Sequence, residues 1–151
     1  MKKMIICGLV FLSAFAFNEA KAQVRVHVNF NIASQPVWGP VGYDYVEYYY
    51  LPDIQAYYYV PTRQFVYLSG SRWVYSYSLP PRYRDYDLYT GYKVVVNGPR
   101  PYRYFQRDRE RYGHFRGDHS QVVIRNSNDP KYYVVKGHPK YRGRGHDKDR
   151  H

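Results

Sequence analysis

Cysteine is almost missing from this chain: Cys7 is the single one among 151 residues. A lone cysteine excludes an internal disulfide and any centre built from several thiolates. The chain also has no Gly-rich phosphate loop, no G-x-S-x-G, and no H-x-x-x-H or H-E-x-x-H pair. Their absence argues against P-loop, nucleophile-elbow and helix-borne zinc chemistry. No apolar run of membrane-spanning length follows the N-terminal one. Acidic residues are the minority, 12 Asp+Glu against 23 Lys+Arg, for a formal net charge of +11. Tyrosine is what the chain has in abundance: 21 residues, beside 7 Phe and 2 Trp. At 44% apolar residues the composition is too hydrophobic for a wholly disordered polymer.

Residues 1–22 read as a secretory signal peptide. Lys2 and Lys3 give a positive start, Met4 to Phe17 is almost unbrokenly apolar, and Ala20-Lys21-Ala22 is an A-x-A site before Gln23. The run is shorter than the roughly 20 residues a spanning helix needs, so a membrane anchor is disfavoured. Cleavage is expected between Ala22 and Gln23. Cys7 lies near the start of the apolar run rather than at its end, which argues against lipid attachment. The product expected is cysteine-free and has no integral membrane span.

The remainder divides by charge. Residues 23–100 carry 7 basic and 5 acidic side chains and hold most of the tyrosines; residues 101–151 carry 13 and 6. The first part has the marks of a small antiparallel β domain. Val24 to Ile32 alternates apolar and polar residues without fault, the pattern of a half-buried strand. Further strands are expected at Tyr43–Leu51, Ile54–Val60, Phe65–Leu68, Arg72–Tyr75 and Lys93–Val96. Pro52-Asp53, Pro61-Thr62-Arg63 and Ser69-Gly70-Ser71 supply turns. Strands so closely spaced form a meander, because parallel crossovers need a dozen or more residues. Within 54–60, Ile54, Ala56, Tyr58 and Val60 share one face, and Gln55, Tyr57 and Tyr59 the other. A helical turn is expected within 82–89 and a short helix within 101–112. Val122–Ile124 and Tyr132–Val135 read as a hairpin or as two docking segments. The rest of 101–151 reads as a basic, largely irregular C-terminal extension, disordered from about residue 140.

The tyrosines have two readings. Their rings can cover a core while their hydroxyls reach water, which suits a small sheet. Alternatively a cluster forms a recognition surface, since Tyr and Trp bind with large area at little entropic cost. Arg72, Trp73 and Tyr75 are the candidate ligand surface, although a Trp after a hairpin turn also serves as the lid of a core. The basic segment either keeps the chain solvated or binds polyanions by neutralising charge. Outside the cytoplasm those polyanions are anionic polysaccharide, lipopolysaccharide or extracellular DNA. The carboxylate pairs Asp85/Asp87 and Asp108/Glu110 leave a small secreted hydrolase as the alternative function. Each pair sits among Arg and Tyr, which favours surface ion pairing. Asp118-His119-Ser120 contains triad letters, but a triad is defined by spatial roles rather than adjacency. His146 and His151 flank an Asp/Lys segment without the four fixed ligands of a structural zinc site. Neither metal nor cofactor is expected.

A set of phrases resembles a family of secreted, tyrosine-rich proteins of Bacteroidota-type Gram-negative bacteria that has no assigned activity. They are Gln35-Pro36-Val37-Trp38-Gly39-Pro40, Gly42-Tyr43-Asp44-Tyr45, Tyr48-Tyr49-Tyr50-Leu51-Pro52-Asp53, Tyr57-Tyr58-Tyr59-Val60-Pro61, Gln64-Phe65-Val66-Tyr67-Leu68 through Arg72-Trp73, Ser78-Leu79-Pro80, Asp87-Leu88-Tyr89 and Lys93-Val94-Val95-Val96-Asn97. The resemblance covers roughly residues 35–102. It implies export to the periplasm or cell surface and a small β-rich module, and it transfers no catalytic or binding residue. The expectation is therefore an exported, non-enzymatic envelope protein, structural or binding, engaging anionic surface polymers.

Overall fold

The computed structural model describes residues 31–143. The expected leader 1–22, its Ala22/Gln23 cleavage point, most of the 24–32 strand and the end of the tail lie outside the described residues. Asn31 and Ile32 do not continue a strand: Ile32–Ser34 is a 3-10 turn. The Asn31 side chain binds the backbone of Val46 in both directions, accepting from its N–H at 2.8 Å and donating to its carbonyl at 2.5 Å.

Five antiparallel strands make one sheet: β1 (Tyr48–Leu51), β2 (Ala56–Tyr59), β3 (Gln64–Ser69), β4 (Arg72–Ser76) and β5 (Val94–Val96). Their spatial order is β4-β3-β2-β1-β5. The first four form the meander that the turn spacing implies. Gly70 has φ 61 and is the first of the two residues linking β3 to β4, a position where a type II′ hairpin turn calls for glycine. The chain then crosses to the far edge, so β5 lies beside β1, with Tyr49 opposite Val95. The strand expected from Tyr43 begins only at Tyr48, because residues 43–46 are engaged with the N-terminal loop: Gln35 donates to the Tyr43 carbonyl, and Asn31 N–H to that of Asp44.

Both faces of the sheet are covered, which a half-buried meander does not anticipate. On one face Ile54, Ala56, Tyr58 and Val60 do share a side, packed with Trp38, Val46, Tyr49, Leu51 and Phe65. Leu79, Tyr83, Tyr86 and Leu88 from the β4–β5 connection close over them. The connection can lie this near because residue 91 is glycine: a Cβ there would fall 1.4 Å from the Tyr86 hydroxyl oxygen. On the other face Tyr48, Tyr50, Tyr57 and Val66 are covered by Tyr102 and Phe105. These last two come from a 3-10 turn, Pro101–Tyr104, and the helix that follows it, α1 (Phe105–Arg111). Arg100 bends the chain onto this face with a left-handed φ of 50, a conformation uncommon outside glycine.

Residues 101–143 are thus largely irregular, with one short α-helix and several 3-10 turns among the described residues, yet they are part of the folded body. Residues 121–142 neither make a hairpin nor hang free. Val41 N–H donates to the Val122 carbonyl at 3.1 Å, and the N–H groups of Ile124 and Arg125 donate to the carbonyls of Gly39 and Val37, each at 2.8 Å. Ile124, Tyr132 and Val135 form a third cluster with Ile32, Val37 and Val41. The backbone is still bonded at Arg142, whose N–H donates to the Tyr133 carbonyl at 2.9 Å. Among the described residues no helix is long and apolar enough to cross a membrane.

Because Phe105 fills the hollow between the sheet and α1, Phe105→Ala should cost about 3–5 kcal/mol. That is a large part of the roughly 5–15 kcal/mol available to a domain. Urea unfolding followed by circular dichroism measures it. A loss below about 1 kcal/mol would show that residues beyond 100 contribute no core.

Candidate functional site

The three candidate surface residues do not form one platform. Alternation along β4 sends Arg72 to the opposite side of the sheet from Trp73 and Tyr75. Trp73 is half-buried, with ring centroids 5.3 Å from Tyr102, 5.4 Å from Phe105 and 6.2 Å from Tyr57. Its indole is core beneath α1. Tyr75 is partly exposed, and its hydroxyl hydrogen-bonds that of Tyr102. Arg72 is exposed at the hairpin end.

The carboxylate pairs also separate. Asp108 is fully buried, whereas Glu110 is exposed, as residues two apart on a helix must diverge. Asp87 is used locally, its Oδ1 accepting from Tyr89 N–H at 2.8 Å, and Asp85 is exposed. Asp118-His119-Ser120 is a turn: Asp118 accepts from Ser120 N–H, and the His119 ring lies 3.1 Å from the Thr90 carbonyl. Among the described residues no group of three His, Cys, Asp or Glu is placed to hold a metal ion.

What the structure does assemble is a buried polar anchor beneath a basic face. Asp108 accepts a 2.8 Å hydrogen bond from the Tyr57 hydroxyl. Its other oxygen accepts from Arg107 Nε and a terminal guanidinium nitrogen at 3.2 and 3.1 Å. A buried carboxylate needs this satisfaction, since leaving it unpaired is far costlier than never burying it. Burial, and then this bond, push the Tyr57 phenol well above its ordinary value. With Asp108 and Phe105 turned inward, Arg103, Arg107 and Arg111 follow the outer surface at intervals of four. Arg107 lies 4.8 Å from the centroid of the exposed Tyr104 ring. Glu110 is the one exposed acid between Arg100 and Arg111. Among the described residues, only Arg107 and Lys131 have a carboxylate oxygen within 4.0 Å.

A cleft of about 500 Å³ opens beside this face, where the β1–β2 and β3–β4 turns meet the covers of both sheet faces. Gln55, Arg82, Gln106 and Arg109 line it, with Tyr67 from one side of the sheet and Phe105 from the other. These residues come from separate parts of the chain, and no sequence pattern marked them. The run of arginines in 101–112 was the one legible signal.

A second buried charge, Lys93, is 1% exposed and contacts the Tyr89 carbonyl at 3.5 Å. Burial pulls its pKa down to about 8, partly offset by the charges of Asp87 and Asp53. The Tyr86 hydroxyl donates to Asp53 at 2.6 Å in the same region.

No protein-family model, no curated protein and no solved structure matches this chain.

Two outcomes follow from the anchors. Tyr57→Phe strips a donor from a buried carboxylate and should cost about 1.5–3 kcal/mol. The Tyr50 hydroxyl is buried with no partner among the described residues, so Tyr50→Phe should raise stability by about 1 kcal/mol. Denaturant midpoints compare the two; equal losses would contradict the assignment of partners.

The pH response has a definite sign. Burial is the largest cause of raised phenol pKa values at Tyr48, Tyr49, Tyr50, Tyr57, Tyr58, Tyr75 and Tyr86, with Tyr50 and Tyr75 at about 12. Stability drawn from these protonated phenols is intact below the unfolded value of about 10 and is lost as pH rises above it. Lys93 acts oppositely: its burial costs stability below pH 8, and the cost fades between 8 and about 10.4. The tyrosines prevail above pH 10. Absorbance at 295 nm should show them ionising in one cooperative step that coincides with loss of circular dichroism. Stepwise ionisation with the fold intact would contradict this.

Proposed function

We propose that this chain is an exported, non-enzymatic envelope protein, and that the arginine-bearing layer over its sheet binds an acidic polysaccharide. The carrying observation is that Arg100, Arg103, Arg109 and Arg111 stand exposed on an anchored layer, without a carboxylate within 4.0 Å among the described residues. A guanidinium left unpaired presents its fork of N–H donors to carboxylate or sulfate groups. The export half of the reading is supported by the N-terminal leader pattern and by the resemblance to secreted tyrosine-rich proteins. A periplasmic or surface location supplies anionic polymers in place of cytoplasmic RNA.

The test compares the chain from Gln23 onward with its Arg103→Gln/Arg111→Gln double variant on immobilised heparin, in a salt gradient. Deleting the basic segment is unsuitable, because Tyr102 and Phe105 belong to the core. The parent should be retained with steep salt dependence. The double variant should elute at lower salt, its log–log salt slope reduced by roughly 1–2 as two ionic contacts are lost. Elution of a folded double variant at the parent's salt concentration would overturn the proposal. Lipopolysaccharide and duplex DNA serve as comparison arms, and a clear preference for either would replace polysaccharide as the ligand class.

A further inference from the structure

The cleft at the turn end of the sheet combines features that an extended basic face lacks. Its volume, about 500 Å³, falls in the range of small-ligand sites. Its apolar lining comes from both sides of the sheet: Tyr67 and Pro80 from one, Leu68 and Phe105 from the other. Its polar members are Gln55, Ser69 and Gln106, with Arg82 and Arg109. Among the described residues, none of these five side chains has a hydrogen-bond partner within the protein. Four of the five, Ser69, Arg82, Gln106 and Arg109, are solvent-exposed, so their polar ends are open to a ligand in the cleft.

The two guanidiniums are held in a way that leaves their donors free. Arg82 lies 4.9 Å from the ring centroid of Tyr83, and Arg109 lies 6.0 Å from that of Phe105. A cation placed over an aromatic ring is steadied through the π-face, so its N–H edges remain open. Arg82 comes from the connection covering one sheet face and Arg109 from the helix covering the other, so the pair brackets the cleft. Gln55 adds a strained element: it has φ 51, in the left-handed region that a non-glycine residue enters at a cost. Arg63 in the β2–β3 turn adopts the same left-handed conformation, with φ 58, so this is the geometry of a short turn.

We infer that this cleft binds one carboxylate-bearing sugar unit of the polysaccharide, with the Arg82–Arg109 pair on the carboxylate, the Gln55 and Gln106 amides on ring hydroxyls, and the ring's C–H face on Leu68 and Phe105. The inference rests on the proposed polysaccharide binding and gives it a residue-level address. The apolar lining and paired amides favour a sugar over a bare anion. The bracketing arginines favour a uronic acid over a neutral sugar, since a planar guanidinium matches a carboxylate with two parallel hydrogen bonds.

Titration calorimetry with a tetrasaccharide of glucuronate units tests it, with the matching neutral glucose tetrasaccharide and sodium acetate as comparison probes. The parent should bind the uronate oligosaccharide saturably, at least tenfold more tightly than either comparison probe. Arg82→Gln/Arg109→Gln should lose at least tenfold of that affinity. Gln55→Gly should also bind several-fold more weakly while its thermal midpoint rises, because glycine relieves the left-handed strain; a merely structural Gln55 would leave binding unchanged. Equal binding of acetate and uronate would reduce the cleft to an anion site and overturn the inference, as would no difference between the parent and the arginine double variant. Heparin retention that still depends on Arg103 and Arg111 while the cleft variants bind normally would remove the cleft alone. Loss of all polyanion retention would remove the broader proposal first.

Discussion

The hydrogen bond from the Tyr57 hydroxyl to Asp108 joins residues 51 apart in sequence, and the placement of the basic layer depends on it. Asp108 sits under α1, wholly removed from solvent, and a carboxylate survives there only if its oxygens are satisfied. Tyr57 satisfies one oxygen from the sheet, and Arg107 the other from the solvent side. This fixes the rotation of α1 about its axis. Phe105 then enters the core, and Arg103, Arg107 and Arg111 face outward. The surface proposed to bind polyanions is thus set by a single buried carboxylate, which couples the charge pattern outside to the packing inside.

Tyrosine takes a role that disulfides fill in small secreted domains. Phenols tie separate segments together: Tyr49 donates to Gln35 Oε1 at 2.9 Å, and Tyr86 to Asp53 at 2.6 Å. The Tyr132 hydroxyl accepts from Gly42 N–H at 2.6 Å, across 90 residues of chain. Each ring contributes buried apolar area while its hydroxyl ties down a loop. Both faces of a small sheet can therefore be covered by segments with little regular structure of their own. The same economy makes the fold vulnerable to alkali, because ionising a phenol costs it both its burial and its donor proton.

Much of the sheet was legible. The β3–β4 hairpin follows from Gly70 between two β-branched and aromatic runs, and the face shared by Ile54, Ala56, Tyr58 and Val60 from strict alternation. Tyr43–Glu47 misled because alternating tyrosines look like strand wherever they fall; hydrogen bonds to Asn31 and Gln35 kept that stretch out of the ladder. The packing of residues beyond 100 was hidden for a different reason. Tyr102, Phe105, Val123, Ile124, Tyr132 and Val135 are too sparse to make a period, and the arginines between them dominate the composition. Arg72, Trp73 and Tyr75 were singled out as neighbours in sequence, yet neighbours along a strand face opposite ways. The cleft could not have been read at all, since its polar residues come from segments that only folding brings together.

The sequence by itself determined the antiparallel meander, its turns and the division of strand faces, because these depend on local backbone preference and on a period of two. Only the tertiary structure decided that β5 joins β1, that a charged and irregular segment becomes the second layer of the core, and which arginines stand free. Those outcomes turn on whether a few isolated side chains find matching hollows and partners across the molecule, and that complementarity leaves no trace in the order of residues along the chain.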